Sequence, residues 1–142
     1  MTFDVQRAFQ ATMDALTETA SFVTGFADDH GIGRSDALRL TLVVEELFTN
    51  TVKHGYGCDS GATIRIALSA IVDEIALFYE DGAPPFDPLS RLSGSLSSVN
   101  ADIESRHVGG LGIYLVGQLS GSPRYAYEDG CNRLWLKFRR QT

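Results

Sequence analysis

Three short stretches of this chain hold residue types that could do chemistry. The first is a polar stripe of Glu46, Asn50 and His54 at spacings of four, with Lys53 alongside. On a helix these four side chains share one face. A carboxylate, a carboxamide and cations in that order can supply a general base, an oxygen ligand for a hard cation and partners for phosphate. A solvated helix face has the same spacing, but Asn is a poor helix former and its place in mid-helix tilts the balance towards function. The second stretch, Asp81-Gly82-Ala83-Pro84-Pro85-Phe86-Asp87-Pro88, follows directly on a run of apolar residues. A carboxylate at the mouth of a buried strand can accept a hydrogen bond from an exocyclic amine such as that of adenine. A plain turn competes, since Asp and Pro both favour turns. The third is Gly109-Gly110-Leu111-Gly112, leading into Ile113-Tyr114-Leu115-Val116. Glycines at a helix N-terminus bare the backbone N–H groups, and the helix dipole adds positive potential, which suits a di- or triphosphate. The pattern is neither a P-loop, lacking Lys-Ser/Thr, nor a GxGxxG behind a first strand. A lid that ends in a tight turn is the alternative there.

These stretches need elements to position them. Phe9, Met13, Leu16, Ala20, Val23 and Phe26 recur at three and four, which predicts a helix from Asp4 to Asp29. Gly31 and Gly33 break it, Ser35 or Asp36 can cap a second helix, and that helix runs to His54 before Gly55-Tyr56-Gly57. Two strands are predicted over Ala62 to Ala70 and Glu74 to Glu80, joined at Val72-Asp73. The first alternates as a half-buried strand does, whereas Ile75 to Tyr79 is nearly continuous in apolar residues and reads as more deeply buried. Asp81 to Gly112 is rich in Gly, Pro and Ser, the texture of a lid or binding loop. A short helix at Ile113 to Leu119 and a last hairpin, Arg124 to Glu128 and Arg133 to Phe138 about Asp129-Gly130, complete the order. The fold class expected is α+β: a two-layer sandwich, mostly antiparallel, with helices on one face.

The whole chain bounds the possibilities. Its 142 residues fit one domain, 1–142, with the lid at about 87–108. Twelve Lys and Arg against eighteen Asp and Glu leave a net charge of −6. That balance argues against nucleic acid as a partner, which asks for a basic face. No apolar run is long enough to span a bilayer and the first residues do not form a signal peptide, so no membrane partner is expected. Two distant cysteines, Cys58 and Cys131, fit a reducing cytoplasm. His30, His54 and His107 are not at metal-ligand spacing, which disfavours a zinc site.

Taken in order, the motifs resemble the stand-alone ATPases of the GHKL superfamily, and more closely the RsbW/SpoIIAB anti-sigma-factor serine kinases. Glu45-Glu46-Leu47-Phe48-Thr49-Asn50-Thr51-Val52-Lys53-His54-Gly55-Tyr56 matches the N-box, Asp81 to Pro88 the next box, and Gly109 to Val116 the glycine box. The resemblance spans Val5 to Arg139. It implies the Bergerat-type sandwich with a long ATP lid. It also implies that Asn50 coordinates Mg²⁺ on ATP, that Glu46 is the catalytic base and that Asp81 binds the adenine amine. Ala83 would lie beside the base, Gly109, Gly110, Leu111 and Gly112 would wrap the phosphates, and Lys53 and His54 would lie near them. The activity implied is that of an ATP-dependent serine/threonine-protein kinase in partner switching. Such a kinase sequesters a sigma factor and phosphorylates a STAS-domain anti-anti-sigma factor, as a cytoplasmic homodimer. Three departures stand out: Ala83 where D-x-G has its glycine, Val108 before the glycine box, and Gly130-Cys131-Asn132 where relatives carry Gly-Thr. They leave room for a nucleotide-gated binding module with little transfer.

Overall fold

In the computed structural model, residues 2–87 and 120–141 are described. The expected lid, the glycine box and the helix at Ile113 to Leu119 lie outside them. The elements are β1 (Val5–Gln10), α1 (Leu16–Asp29), α2 (Arg34–Asn50), β2 (Thr63–Ala70), β3 (Glu74–Asp81), β4 (Arg124–Glu128) and β5 (Cys131–Arg139). A 3₁₀ turn at Met13–Ala15 leads into α1, and a π-helical turn at Thr51–Gly55 extends α2. The strands form one sheet in the order β1-β2-β3-β5-β4, with every neighbouring pair antiparallel. The α+β sandwich expected from the sequence is the fold.

The sheet is amphipathic by its period of two. Ile64, Ile66 and Leu68 of β2, Ile75, Leu77 and Tyr79 of β3, and Leu134, Leu136 and Phe138 of β5 are buried. They form one core with Val23 and Phe26 of α1 and with Leu40, Val43, Val44, Leu47 and Phe48 of α2. Residues on β3 alternate between buried and half-buried along the whole strand, so the continuous apolar run from Ile75 to Tyr79 does not mark a strand buried on both faces.

Two other expectations are corrected. The first helix does not begin at Asp4, because Val5–Gln10 is an edge strand paired with β2, Val5 opposite Leu68 and Gln10 opposite Thr63. Phe9 belongs to that strand, and its ring meets Phe22 of α1 and Phe48 of α2 edge-on, with centroids 5.6 and 6.4 Å away. Nor is α2 capped by Ser35 or Asp36. Gly33 holds the cap position with no side-chain cap bond, and Asp36 sits buried one turn in. There its carboxylate accepts from Arg39 at 2.6 Å and from the backbone N–H of Gln141 at 2.9 Å, so it anchors the chain end.

The turns follow their residue types. Asp129 and Gly130 both have positive φ, 53° and 76°, the two-residue I′ geometry that Asp-Gly favours between strands. Gly31, at φ 62°, ends α1 in the left-handed conformation. No helix among the described residues is long and apolar enough to cross a membrane.

Candidate functional site

The inward positions of β3 run Ile75, Leu77, Tyr79 and Asp81, so alternation carries a carboxylate into the last place on the core face. Directly across the ladder, Asn132 holds the first inward place of β5, ahead of Leu134, Leu136 and Phe138. Two neighbouring strands thus exchange apolar for polar residues at the same rung. Both side chains are buried, Asp81 at 7% and Asn132 at 6% exposure, so both need hydrogen-bond partners.

The partners come from three directions. Thr51, in the π-helical turn after α2, donates from Oγ1 to Asp81 Oδ2 at 2.9 Å. The backbone N–H of Ala83 and Asn132 Nδ2 donate to Asp81 Oδ1, at 3.1 and 2.9 Å. Tyr79 Oη lies 2.6 Å from Thr51 Oγ1. Both hydroxyls also lie near the Leu47 carbonyl oxygen, Thr51 at 3.0 Å and Tyr79 at 3.1 Å, so with Thr51 donating to the carboxylate the Tyr79 proton goes to Thr51 Oγ1 or Leu47 O. Burial pushes the Tyr79 phenol well above its ordinary pKa, against the opposing Thr51 hydrogen bond, and the nearby Asp81 charge adds to the rise. Tyr79 is therefore a neutral donor.

Asp81, Thr51 and Asn132 line a cavity between the sheet and the end of α2, with about 320 Å³ of empty space including its mouth. Its apolar walls are Leu47, Leu134, Phe86 and Tyr79, and its remaining polar groups are Asn50 and Tyr125. That mixture of apolar walls and a few convergent polar groups suits a planar ligand held by a few polar contacts. Leu47, Asn50 and Thr51 reach it together because positions three and four apart share a helical face. The Asn50 amide makes no hydrogen bond to another described residue, which leaves its oxygen available as a ligand for a hard cation.

The structure brings only some of the sequence-derived candidates together. Asn50 and Asp81 line the same cavity. Glu46 is half-buried on α2 and is not part of that lining, and Lys53 and His54 are exposed on the π-helical turn. Both follow Asn50 in the π-helical turn Thr51–Gly55, and neither lines the cavity. Ala83 is 2% exposed and does not line the cavity. A Cβ built on Gly55 would sit 3.0 Å from the Ala83 methyl, so the glycine in the helical turn makes room for the alanine in the loop. Gly109, Gly110, Leu111 and Gly112 lie outside the described residues.

Sequence reasoning missed Asn132 as a site residue, along with Thr51, Tyr79 and Tyr125. A signal was present for Asn132: it extends the alternating series Leu134, Leu136, Phe138 by one polar member.

An antiparallel sheet backed by two helices, with a carboxylate at the end of a central strand facing the cavity between the layers, defines a two-layer α+β ligand-binding domain. The chain belongs to the histidine kinase-like ATPase domain family, which matches residues 9–138. It is similar to the serine-protein kinase RsbW of Listeria innocua, 25% identical over 117 residues that cover 82% of this chain and 74% of that protein. RsbW of Bacillus licheniformis is 26% identical over 82% of this chain and 73% of its own length. The fold is shared with a chain of the crystal structure of the SiaB–SiaC complex from Pseudomonas aeruginosa. That match has a TM-score of 0.60 and 11% identity, over 96% of this chain and 90% of the other. These likenesses agree with the GHKL, RsbW-like resemblance of the three motifs.

Proposed function

We propose that this chain is an anti-sigma-factor serine/threonine-protein kinase domain that works on ATP and Mg²⁺. The observation that carries the reading is the Asp81 carboxylate. It is buried at the end of β3, held by Thr51, Ala83 and Asn132, and it faces a cavity whose wall includes Asn50. Asp81 accepts the hydrogen bond of the adenine amine, and the apolar walls from Leu47 and Leu134 take the faces of the ring. A guanine base would set its carbonyl oxygen against the same carboxylate, so the site selects adenine. Asn50 would hold the metal through its amide oxygen, and Lys53 and His54 would offer hydrogen-bond donors to the phosphates. Gly109, Gly110, Leu111 and Gly112 carry backbone N–H groups for the phosphates. Mg²⁺, when bound with ATP, neutralises phosphate charge in the transfer.

Glu46 is one helical turn before Asn50 and acts as the base that orients and deprotonates the attacking hydroxyl. The names of the RsbW relatives support a serine as acceptor. The acceptor in this reading is a STAS-domain anti-anti-sigma factor, and the sequestered partner is a sigma factor. The kinase acts in the cytoplasm as a homodimer. Incubation of the purified chain with Mg-ATP and a co-encoded STAS-domain protein tests it by intact mass. A gain of one phosphoryl group on that protein supports the kinase. Nucleotide binding without any gain supports the second reading, a nucleotide-gated binding module. That reading is favoured by the place of Glu46 outside the cavity lining.

A further inference from the structure

Asn132 is bonded on every polar valence it has. Its Nδ2 carries two hydrogens and faces three acceptors, Asp81 Oδ1 at 2.9 Å, Ala83 O at 3.0 Å and Pro84 O at 3.1 Å. Its Oδ1 accepts from the backbone N–H of Phe86 at 2.9 Å and from the Tyr125 hydroxyl. Three acceptors on one side and two donors on the other fix the orientation of the amide, and no other residue of this size matches that set. Asp at this position would set an oxygen against three oxygens. Ala would leave all five groups without the partner they share.

The same count bears on Asp81. A carboxylate has about four acceptor positions. Ala83 N–H and Asn132 Nδ2 occupy both positions on Oδ1, and Thr51 occupies one on Oδ2. The position that remains is on Oδ2, the oxygen beside Thr51, and both residues line the cavity. Without Asn132, Oδ1 regains an open position and the carboxylate is free to rotate about its bond to Cβ. The 83–86 backbone also loses its tie to β5.

We infer that Asn132 is a positioning residue that gives the site its selectivity for an amine-bearing base, by filling Asp81 Oδ1 and locking the following loop so that a single acceptor on Oδ2 meets the ligand. Asn132 has no free group of its own to offer a ligand, so its effect passes through Asp81. The inference rests on the adenine reading of the cavity.

The test is calorimetric titration of the full chain with Mg-ADP and with the 5′-diphosphate of purine riboside, which lacks the amine. A hydrogen bond from an amine to a carboxylate makes ADP bind about ten- to a hundredfold tighter in the wild type. In Asn132→Ala, ADP binding weakens far more than analogue binding, and the ratio falls towards one. Tyr125→Phe removes only the hydroxyl that holds Asn132 Oδ1, and lowers the ratio by a smaller factor. A purely structural role weakens both ligands equally, so an unchanged ratio in a folded Asn132→Ala overturns the inference. If Asn132→Ala gives no cooperative melt, Tyr125→Phe decides: a lowered ratio supports the role and an unchanged one overturns it. A wild-type chain that binds neither ligand, or both equally, overturns the adenine reading itself and takes the inference with it.

Discussion

The Thr51 hydroxyl lies 2.9 Å from Asp81 Oδ2 and joins the turn that ends α2 to the last residue of β3. This contact couples the helix layer to the sheet at the cavity. Thr51→Val keeps the shape and removes the hydroxyl, so Tyr79 loses its nearest acceptor and Asp81 one of its three donors. Leaving buried polar groups short of a partner costs about 1–3 kcal/mol. Urea unfolding of Thr51→Val should show that loss, while Thr51→Ser should recover most of it. A valine variant as stable as wild type would show that the contact contributes nothing net.

Tyr79 makes stability depend on alkaline pH. Its folded phenol titrates well above the ordinary value because burial disfavours the phenolate, and Asp81 and Tyr56 add to the rise. Above about pH 10 the unfolded chain releases this proton while the folded chain keeps it. Stability is then complete below the unfolded pKa and falls as pH rises, by up to about 1.4 kcal/mol per pH unit for one proton. Burial also raises the Tyr56 and Tyr125 phenols, which act with the same sign. In Tyr79→Phe the decline measured by urea unfolding between pH 9.5 and about 11 should become shallower without vanishing. An identical slope in the variant would remove Tyr79 as its source.

Much of this architecture was legible in the sequence, and the parts that were not have physical causes. The hairpin at Asp129-Gly130 and the strands about it follow from local turn chemistry and a period of two. β1 was hidden because its inward positions are Val5, Arg7 and Phe9, and an arginine in the middle breaks the apolar alternation. Arg7 is tolerated there because the strand is at the sheet edge, where it reaches Glu18 at 3.8 Å and lies over the Phe9 ring. Phe9 and Met13, four apart, then imitate a helix. Of the candidate site, Asp81 and Asn50 were visible as types out of place in apolar elements. Asn132 stood out in the same way, one polar residue ahead of Leu134, Leu136 and Phe138, but its role was not legible because most of its hydrogen bonds reach residues 46 to 51 positions away in the chain.

The Gly55 and Ala83 pair gives a stability experiment with a built-in control. A Cβ at Gly55 would lie 3.0 Å from the Ala83 Cβ, closer than methyl groups pack, and both belong to backbone segments held by hydrogen bonds. Gly55→Ala should cost about 1–3 kcal/mol through overpacking. Adding Ala83→Gly frees the space, so the double variant should be more stable than Gly55→Ala alone. Thermal or urea unfolding of the four proteins closes the cycle. Strictly additive losses would show that the two sites do not meet.

Glu46 and Asn50 are one turn apart on α2, yet they separate cleanly if one is a base and the other a metal ligand. Asn50 lines the cavity with an amide that bonds no other described residue, and Glu46 stands half-buried outside the lining. Removing a ligand oxygen weakens the nucleotide complex before any chemistry, so Asn50→Ala should lose the Mg²⁺-dependent part of ATP binding in calorimetry. Removing a base leaves the ground state intact. Glu46→Gln should bind Mg-ATP as wild type does and lose phosphoryl transfer by roughly 10²–10⁴-fold. Transfer at the wild-type rate in Glu46→Gln would end the base assignment, and equal Mg-ATP affinity in Asn50→Ala would end the metal assignment. Loss of transfer in both variants with unchanged binding would place the two residues together on the reacting phosphoryl group rather than on opposite sides of it.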